Sequence, residues 1–391
     1  MFRIPAYRSV NWVTSAFLIF TALASITVVP LHVYKNGVDW FQVGLFLVLF
    51  PLSSMSITLG YHRLFSHKAF DAKWPVKLLT LLFGSTTFEG SALEWCSDHR
   101  RHHKHVDHDD DPYDITQGFF HAHIGWLLFR LNPIPPFDNV GDLRKDKLVM
   151  WQYRNWKWVG ILMGFGLPAL LGYLWAGPAG AWSGFLINGV FRVFVVQHTT
   201  FFINSLCHTI GKRPYSTEHS ARDSWIMALF TFGEGYHNYH HEFQHDFRNG
   251  VKFWQFDPTK WAILLFNKLG LADNLKRVPD EKIMLAEIRE KQRLLEKKLA
   301  RKSFALPEKH QHLWENASQN LAHAAMAWEE KKRLYLLATQ KGLKASREKI
   351  ATMKQEMDRL KQELDHSTTE LMKAVREWTE AHQLVSNALP A

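Results

Sequence analysis

The residues of this chain that could do chemistry are its histidines. They cluster in three short texts: HRLFSH, with His62 and His67; DHRRHH, with His99, His102 and His103; and HNYHH, with His237, His240 and His241. Residues three and four apart share one face of a helix. The second and third texts therefore each present three imidazoles along one side. His62 and His67 are five apart, about 140° around an ideal helix, so that pair must bracket a metal from two directions or lie where the helix distorts. Eight imidazoles are more than one ion takes and suit two ions sharing a site. Cys96 and Cys207 form no CxxC motif and no disulfide framework, so the donors must be nitrogen or oxygen. Imidazole suits iron, zinc, copper and nickel, and ligand type alone does not name the metal.

These side chains need elements to hold them. Residues 11–30, 40–60, 158–177 and 181–200 are apolar enough to cross a bilayer, which takes about 20 residues. Residues 74–93 are also apolar but are interrupted by Gly84, Ser85, Thr86, Thr87, Glu89 and Gly90, which reads as a buried or interfacial helix. The four spans form two hairpins, joined by LHVYKNGVD and by AGPAG. Lysine and arginine concentrate on the other side, which carries Arg3, Arg8 and all three histidine texts. The positive-inside rule places that side, with both termini, in the cytoplasm. The run from Trp12 to Pro30 is longer than a signal-peptide core and reads as a retained span.

Composition divides the chain into residues 1–275, a membrane domain, and 280–391, a charged helical extension. In the extension Ile350, Met353, Met357, Leu360, Leu364, Ser367, Leu371, Ala374 and Trp378 alternate in steps of three and four, an a/d seam. Leu285, Ile288, Leu295 and Leu299 form an earlier stripe. A helical hairpin or coiled coil is expected, with homo-oligomerisation as one use for it. The fold class is thus all-α integral membrane: four transmembrane helices under a cytoplasmic helical cap holding two metals. The formal charge of +10 suits anionic headgroups. No nucleic-acid motif accompanies it, so no nucleic-acid partner is expected.

The three texts resemble the histidine boxes of the membrane fatty-acid desaturases, in the acyl-CoA branch and of bacterial type. GYHRLFSHKAF, EWCSDHRRHHKHVD, Asp111–Pro112, FFHAHIGWLL, DLRKDKLVMWQYR and RPYST carry the likeness across residues 10–265. The resemblance implies a ninth ligand, His208, and an asparagine four residues before it, Asn204, acting through a bound water. The implied ligand set is His62, His67, His99, His102, His103, His208, His237, His240 and His241, holding two iron ions; how they divide between the ions is open. It also implies O2 as co-substrate and insertion of a cis Δ9 double bond into a long saturated acyl chain; the bacterial-looking motif variants and the lack of a targeting signal point to a bacterial inner membrane, with the endoplasmic reticulum as the alternative. His105, His108, His121, His123, His198, His219 and His245 are expected to pack or to support the ligands.

Removing hydrogen from an unactivated methylene needs an oxidant, which redox-inactive zinc cannot supply. The chain has no haem-binding HPGG, GxGxxG or cysteine cluster. A separate electron donor is therefore expected, a ferredoxin or a b-type cytochrome with its reductase. Headgroup recognition departs from the branch. Asp98 is retained, but Ser97 replaces an arginine. Arg130 matches a basic contact, but Leu131 replaces the lysine after it. Phe201 replaces a tryptophan. Asp98 and Arg130 are the headgroup candidates, and CoA-, phospholipid- and carrier-linked chains all stay open. Alternative readings are a di-iron hydroxylase of alkane or lipid and a histidine-rich membrane metal transporter or sensor.

Overall fold

The computed structural model describes residues 7–131, 137–302, 306–342 and 350–389. Arg3 lies outside them, and so do the side chains of Arg8 and Ile350. The chain divides into two compact units, Met1–Ile283 and Met284–Ala391.

Among the described residues of the first unit, three helices are long and apolar enough to cross a membrane: Trp12–Asn36, Trp40–Ser66 and Lys147–His208. Asp39 starts the second, accepting from the Phe41 amide at 2.9 Å, as N-cap aspartates do. At 62 residues the third would be about 90 Å long if straight. It is not straight. Ala176 (φ −142°) and Gly177 (φ +62°) leave helical geometry, and Pro178 follows. The two arms beyond this reversal pack so closely that a Cβ on Gly172 would collide with the Gly180 carbonyl. The apolar stretch at 74–93 forms the helix Trp74–Ser85, whose Val76 and Leu81 are buried in the unit's core.

Arg192 lies in the second arm, 1% exposed. Its five N–H groups all find uncharged oxygens: Nε donates to Asn188 O (2.7 Å), one terminal nitrogen to the hydroxyls of Ser53 (2.6 Å) and Thr86 (3.2 Å), and the other to the carbonyls of Gly164 (3.1 Å) and Thr86 (3.5 Å). A buried cation is retained only when it is saturated in this way.

The second unit contains the helices Asp280–Lys302 (which begins just inside the first unit), Glu308–Gly342 and Ile350–Ala388. The seam read from the sequence faces inward: Leu360, Leu364, Ser367, Leu371, Ala374 and Trp378 are buried. It packs antiparallel on the preceding helix, as Trp314 against Trp378 (ring centroids 5.6 Å) and Lys331 against Glu363 (2.6 Å) show. Leu285, Ile288 and Leu295 join the same core. The stripes are thus satisfied within one chain.

Candidate metal centre

Residues 56–66 are π-helical. The His67 amide donates to the His62 carbonyl at 3.1 Å, the i→i+5 bond of that geometry. The helix therefore distorts, one of the two arrangements the spacing left open, and the two rings lie 4.8 Å apart. The helix Ala92–His105 opens with a capping box: the Ser91 hydroxyl accepts from the Glu94 amide, and the Glu94 carboxylate accepts from the Ser91 amide. This fixes the start of the helix that carries His99, His102 and His103. The short helix His237–Glu242 carries the third text.

The nine imidazoles converge, and they divide. His62, His67, His99, His103 and His240 form one group; His102, His208, His237 and His241 form another. In the first, His240 Nε2 lies 2.9 Å from Nε2 of both His62 and His103, and His67 Nε2 lies 2.8 Å from His99 Nε2. In the second, His241 Nε2 is 3.2 Å from His102 Nε2 and 3.1 Å from His237 Nε2, which is 3.0 Å from His208 Nε2. Each of the two helices serves both groups: its i,i+4 pair goes to one and the histidine between to the other. The first text contributes only to the group of five and His208 only to the group of four. The groups touch where His103 stacks on His241 at 4.3 Å.

Such contacts are unfavourable between neutral rings unless a proton or cation lies between them. His62 Nδ1 lies 2.9 Å from a Glu234 carboxylate oxygen, and His102 Nδ1 lies 2.8 Å from Asp111. A proton on Nδ1 facing a carboxylate leaves Nε2 as a bare lone pair. Two nitrogens bound to one metal at about 2.1 Å and a right angle are separated by about 3.0 Å, and the observed spacings of 2.8–3.2 Å match. The residues fit metal ions. Burial, reinforced by the neighbouring rings, drives the imidazoles of His67, His99, His103, His237, His240 and His241 well below their ordinary titration range, which keeps them neutral and able to ligate.

The supporting acids are single residues that spacing did not single out. Burial raises the Glu234 carboxyl, but His62 and Arg63 outweigh it and hold the group below its usual range. Arg63 bridges Glu234 and Asp257, at 3.0 Å each, and donates to the Phe247 carbonyl at 2.9 Å. A signal was present for Asp111, in the Asp–Pro dipeptide. For Glu234 there was only its place three residues before His237.

A mostly apolar pocket opens onto both groups, lined by His62, Trp95, His99, Thr200, Asn204 and Phe230 among others. Asn204 thus sits on the pocket wall beside the histidines. The headgroup candidates do not converge on it. Asp98 is half-buried, and burial, helped by Glu94, pushes its carboxyl up to about 7. Arg130 is exposed on the strand Phe129–Leu131, paired with Tyr7–Val10. Ser97, the replaced arginine position, donates to Asn139 at 2.7 Å. Of the remaining histidines, His123 and His198 pair with each other at 3.0 Å, and His245 lies 2.9 Å from the His67 carbonyl.

Behind the pocket wall lies Glu89, which accepts from the Trp95 indole at 3.3 Å. Burial pushes its carboxyl from 4.5 up to about 8. The unfolded chain loses this proton in the ordinary carboxylate range and the folded chain keeps it to about pH 8, so stability falls as pH rises between the two. Glu89→Gln should therefore melt with the parent near pH 4 and above it at pH 8. Parallel melting curves across that range would refute this.

The fatty acid desaturase family model matches residues 39–267. Acyl-CoA desaturase 1 of Saccharomyces cerevisiae is 41% identical over 277 residues, 70% of this chain and 52% of that one. The sn-1 stearoyl-lipid 9-desaturase of Anabaena variabilis is 34% identical over 274 residues, 68% of this chain and 94% of that one. Stearoyl-CoA desaturase of Sus scrofa is 36% identical over 237 residues, 60% of this chain and 66% of that one. The chain spans about half the length of the fungal relatives it matches. The fungal sequences are more similar than the cyanobacterial one, so the similarities do not favour a specifically bacterial type. The match spans all three histidine texts and the whole metal-fitting centre, and the chain belongs to the fatty acid desaturase family.

Proposed function

We propose that this chain is an O2-dependent fatty-acyl desaturase that places a cis double bond, at Δ9, in a long saturated acyl chain. The observation that carries this reading is the pair of imidazole groups set against one apolar pocket. The nine histidines would hold two iron ions, five at one and four at the other, with Asn204 completing the second through water. Bound there, the irons supply the oxidising power that draws hydrogen from a methylene. The chain's own residues do the rest. Glu234 and Asp111 hold the tautomers of His62 and His102. Trp95, stacked on His99 at 4.8 Å, and the apolar pocket wall exclude water and fix which carbons lie at the centre. The printed names of the relatives support Δ9, and they include both CoA-linked and lipid-linked substrates.

We read four membrane crossings, with the broken third helix supplying two of them, and the histidine-bearing side facing the cytoplasm. There a ferredoxin or b-type cytochrome would deliver electrons, and the basic surface suits an acidic donor.

The test is a fatty-acid profile from a host lacking its own aerobic desaturase. A new monounsaturated acid, with its double bond placed by derivatisation, is the expected result. A hydroxylated chain instead would overturn the reading. Comparing the free CoA-ester and phospholipid pools shortly after induction identifies the headgroup.

A further inference from the structure

The two groups are not supported alike. His62 in the group of five and His102 in the group of four each face a carboxylate directly. His208 does not. Its Nδ1 lies 2.7 Å from the Ser220 hydroxyl, which lies 2.5 Å from one Asp107 oxygen. The other Asp107 oxygen accepts from the Ser220 amide at 2.6 Å.

The proton count fixes the direction of this chain. A carboxylate only accepts, so the single Ser220 hydroxyl proton goes to Asp107. The hydroxyl oxygen must then accept from His208, which puts a proton on Nδ1. His208 Nε2 is left as a bare lone pair, 3.0 Å from His237 Nε2. Asp107 has a φ of +64°, in the left-handed region that aspartate and asparagine enter more readily than other side-chain-bearing residues. Its own amide donates to Asp111 at 3.3 Å, the acid that faces His102. One residue therefore touches the supports of two imidazoles in the same group.

We infer that Asp107 and Ser220 are positioning residues for the group of four: they lock His208 in its metal-binding tautomer and set the affinity of that site alone. This rests on the two-metal reading above.

The experiment is anaerobic titration of the purified, metal-free full chain with ferrous iron. Occupancy is followed by elemental analysis, and the metal-free melting temperature serves as a folding control. The parent should bind two equivalents; if it does not, the two-metal reading fails and not this one. Ser220→Ala should weaken one equivalent by about 10–100-fold, the range seen when such supports are lost, and leave the other unchanged. Ser220→Thr keeps the hydroxyl and should restore both. Asp107→Asn keeps a residue that tolerates the left-handed backbone and one acceptor oxygen; it should weaken the same equivalent by less, and it carries the test if Ser220→Ala does not fold. Two equivalents bound at parental strength in Ser220→Ala and Asp107→Asn, or equal weakening of both sites without rescue by threonine, would overturn the inference.

Discussion

On the function proposed above, His240→Ala should remove the monounsaturated product and leave the group of five without its iron. His240 is the hub of that group, its Nε2 equally close to His62 and His103, and the residue is 1% exposed. Alanine leaves a buried gap lined by lone pairs, with no donor able to move into it. We expect monounsaturated acid to fall by more than about 100-fold, beyond the 10–100-fold that loss of a support alone costs. Iron should fall by one equivalent per chain. His198→Ala is the control: that ring pairs with His123 outside both groups, and the variant should keep its iron. Product within tenfold of the parent from His240→Ala would remove the metal-ligand role from this residue.

Arg63→Leu should be the most destabilising single change in the membrane unit. Arg63 is 1% exposed and lies between Glu234 and Asp257, themselves 3% and 0% exposed at their side chains. Leucine leaves two carboxylates buried without their cation. Breaking a buried pair in this way costs about 3–5 kcal/mol, on the order of 10 °C in melting temperature for a domain of this size. Because Glu234 also faces His62, iron should be lost at temperatures well below melting. Lysine, a point charge on a flexible stem, cannot reproduce the forked contact with both acids and should recover only part of the loss. A melting temperature within about 2 °C of the parent for Arg63→Leu would show the network to be dispensable.

How much of this was legible in the sequence follows from the range of each interaction. Helix faces are local, so it was readable from spacing that His99, His102 and His103, and likewise His237, His240 and His241, lie along one side of a helix, but not that the middle histidine of each set turns to the other group. For His62 and His67 the spacing left two arrangements open, bracketing a metal from two directions or a distorted helix, and the π turn is the second. The reversal at Ala176–Gly177 lies at the edge of the expected AGPAG connection. The division five and four was not readable, because it depends on how two distant helices cross. The acids were harder still: Arg63 and Asp257 are 194 positions apart, and no periodicity links them. In the extension the seam was legible, but its partner was not. An apolar stripe looks the same whether a neighbouring helix or a second copy covers it, and here the preceding helices of the same chain do.

Arg192 also bears on how the protein is made. A guanidinium at the centre of a lone helix costs about 2.5–3.5 kcal/mol to insert into a bilayer. Its acceptors here are Ser53, Thr86, Gly164 and Asn188, and every one precedes it in the chain. Synthesis runs from the amino end, so all four have left the ribosome before Arg192 emerges. On the four-crossing reading proposed above, the last apolar arm can therefore dock its charge into a socket the earlier segments have already built. Moving that arm to the front of the chain by circular permutation would leave the arginine to wait in lipid for partners not yet made.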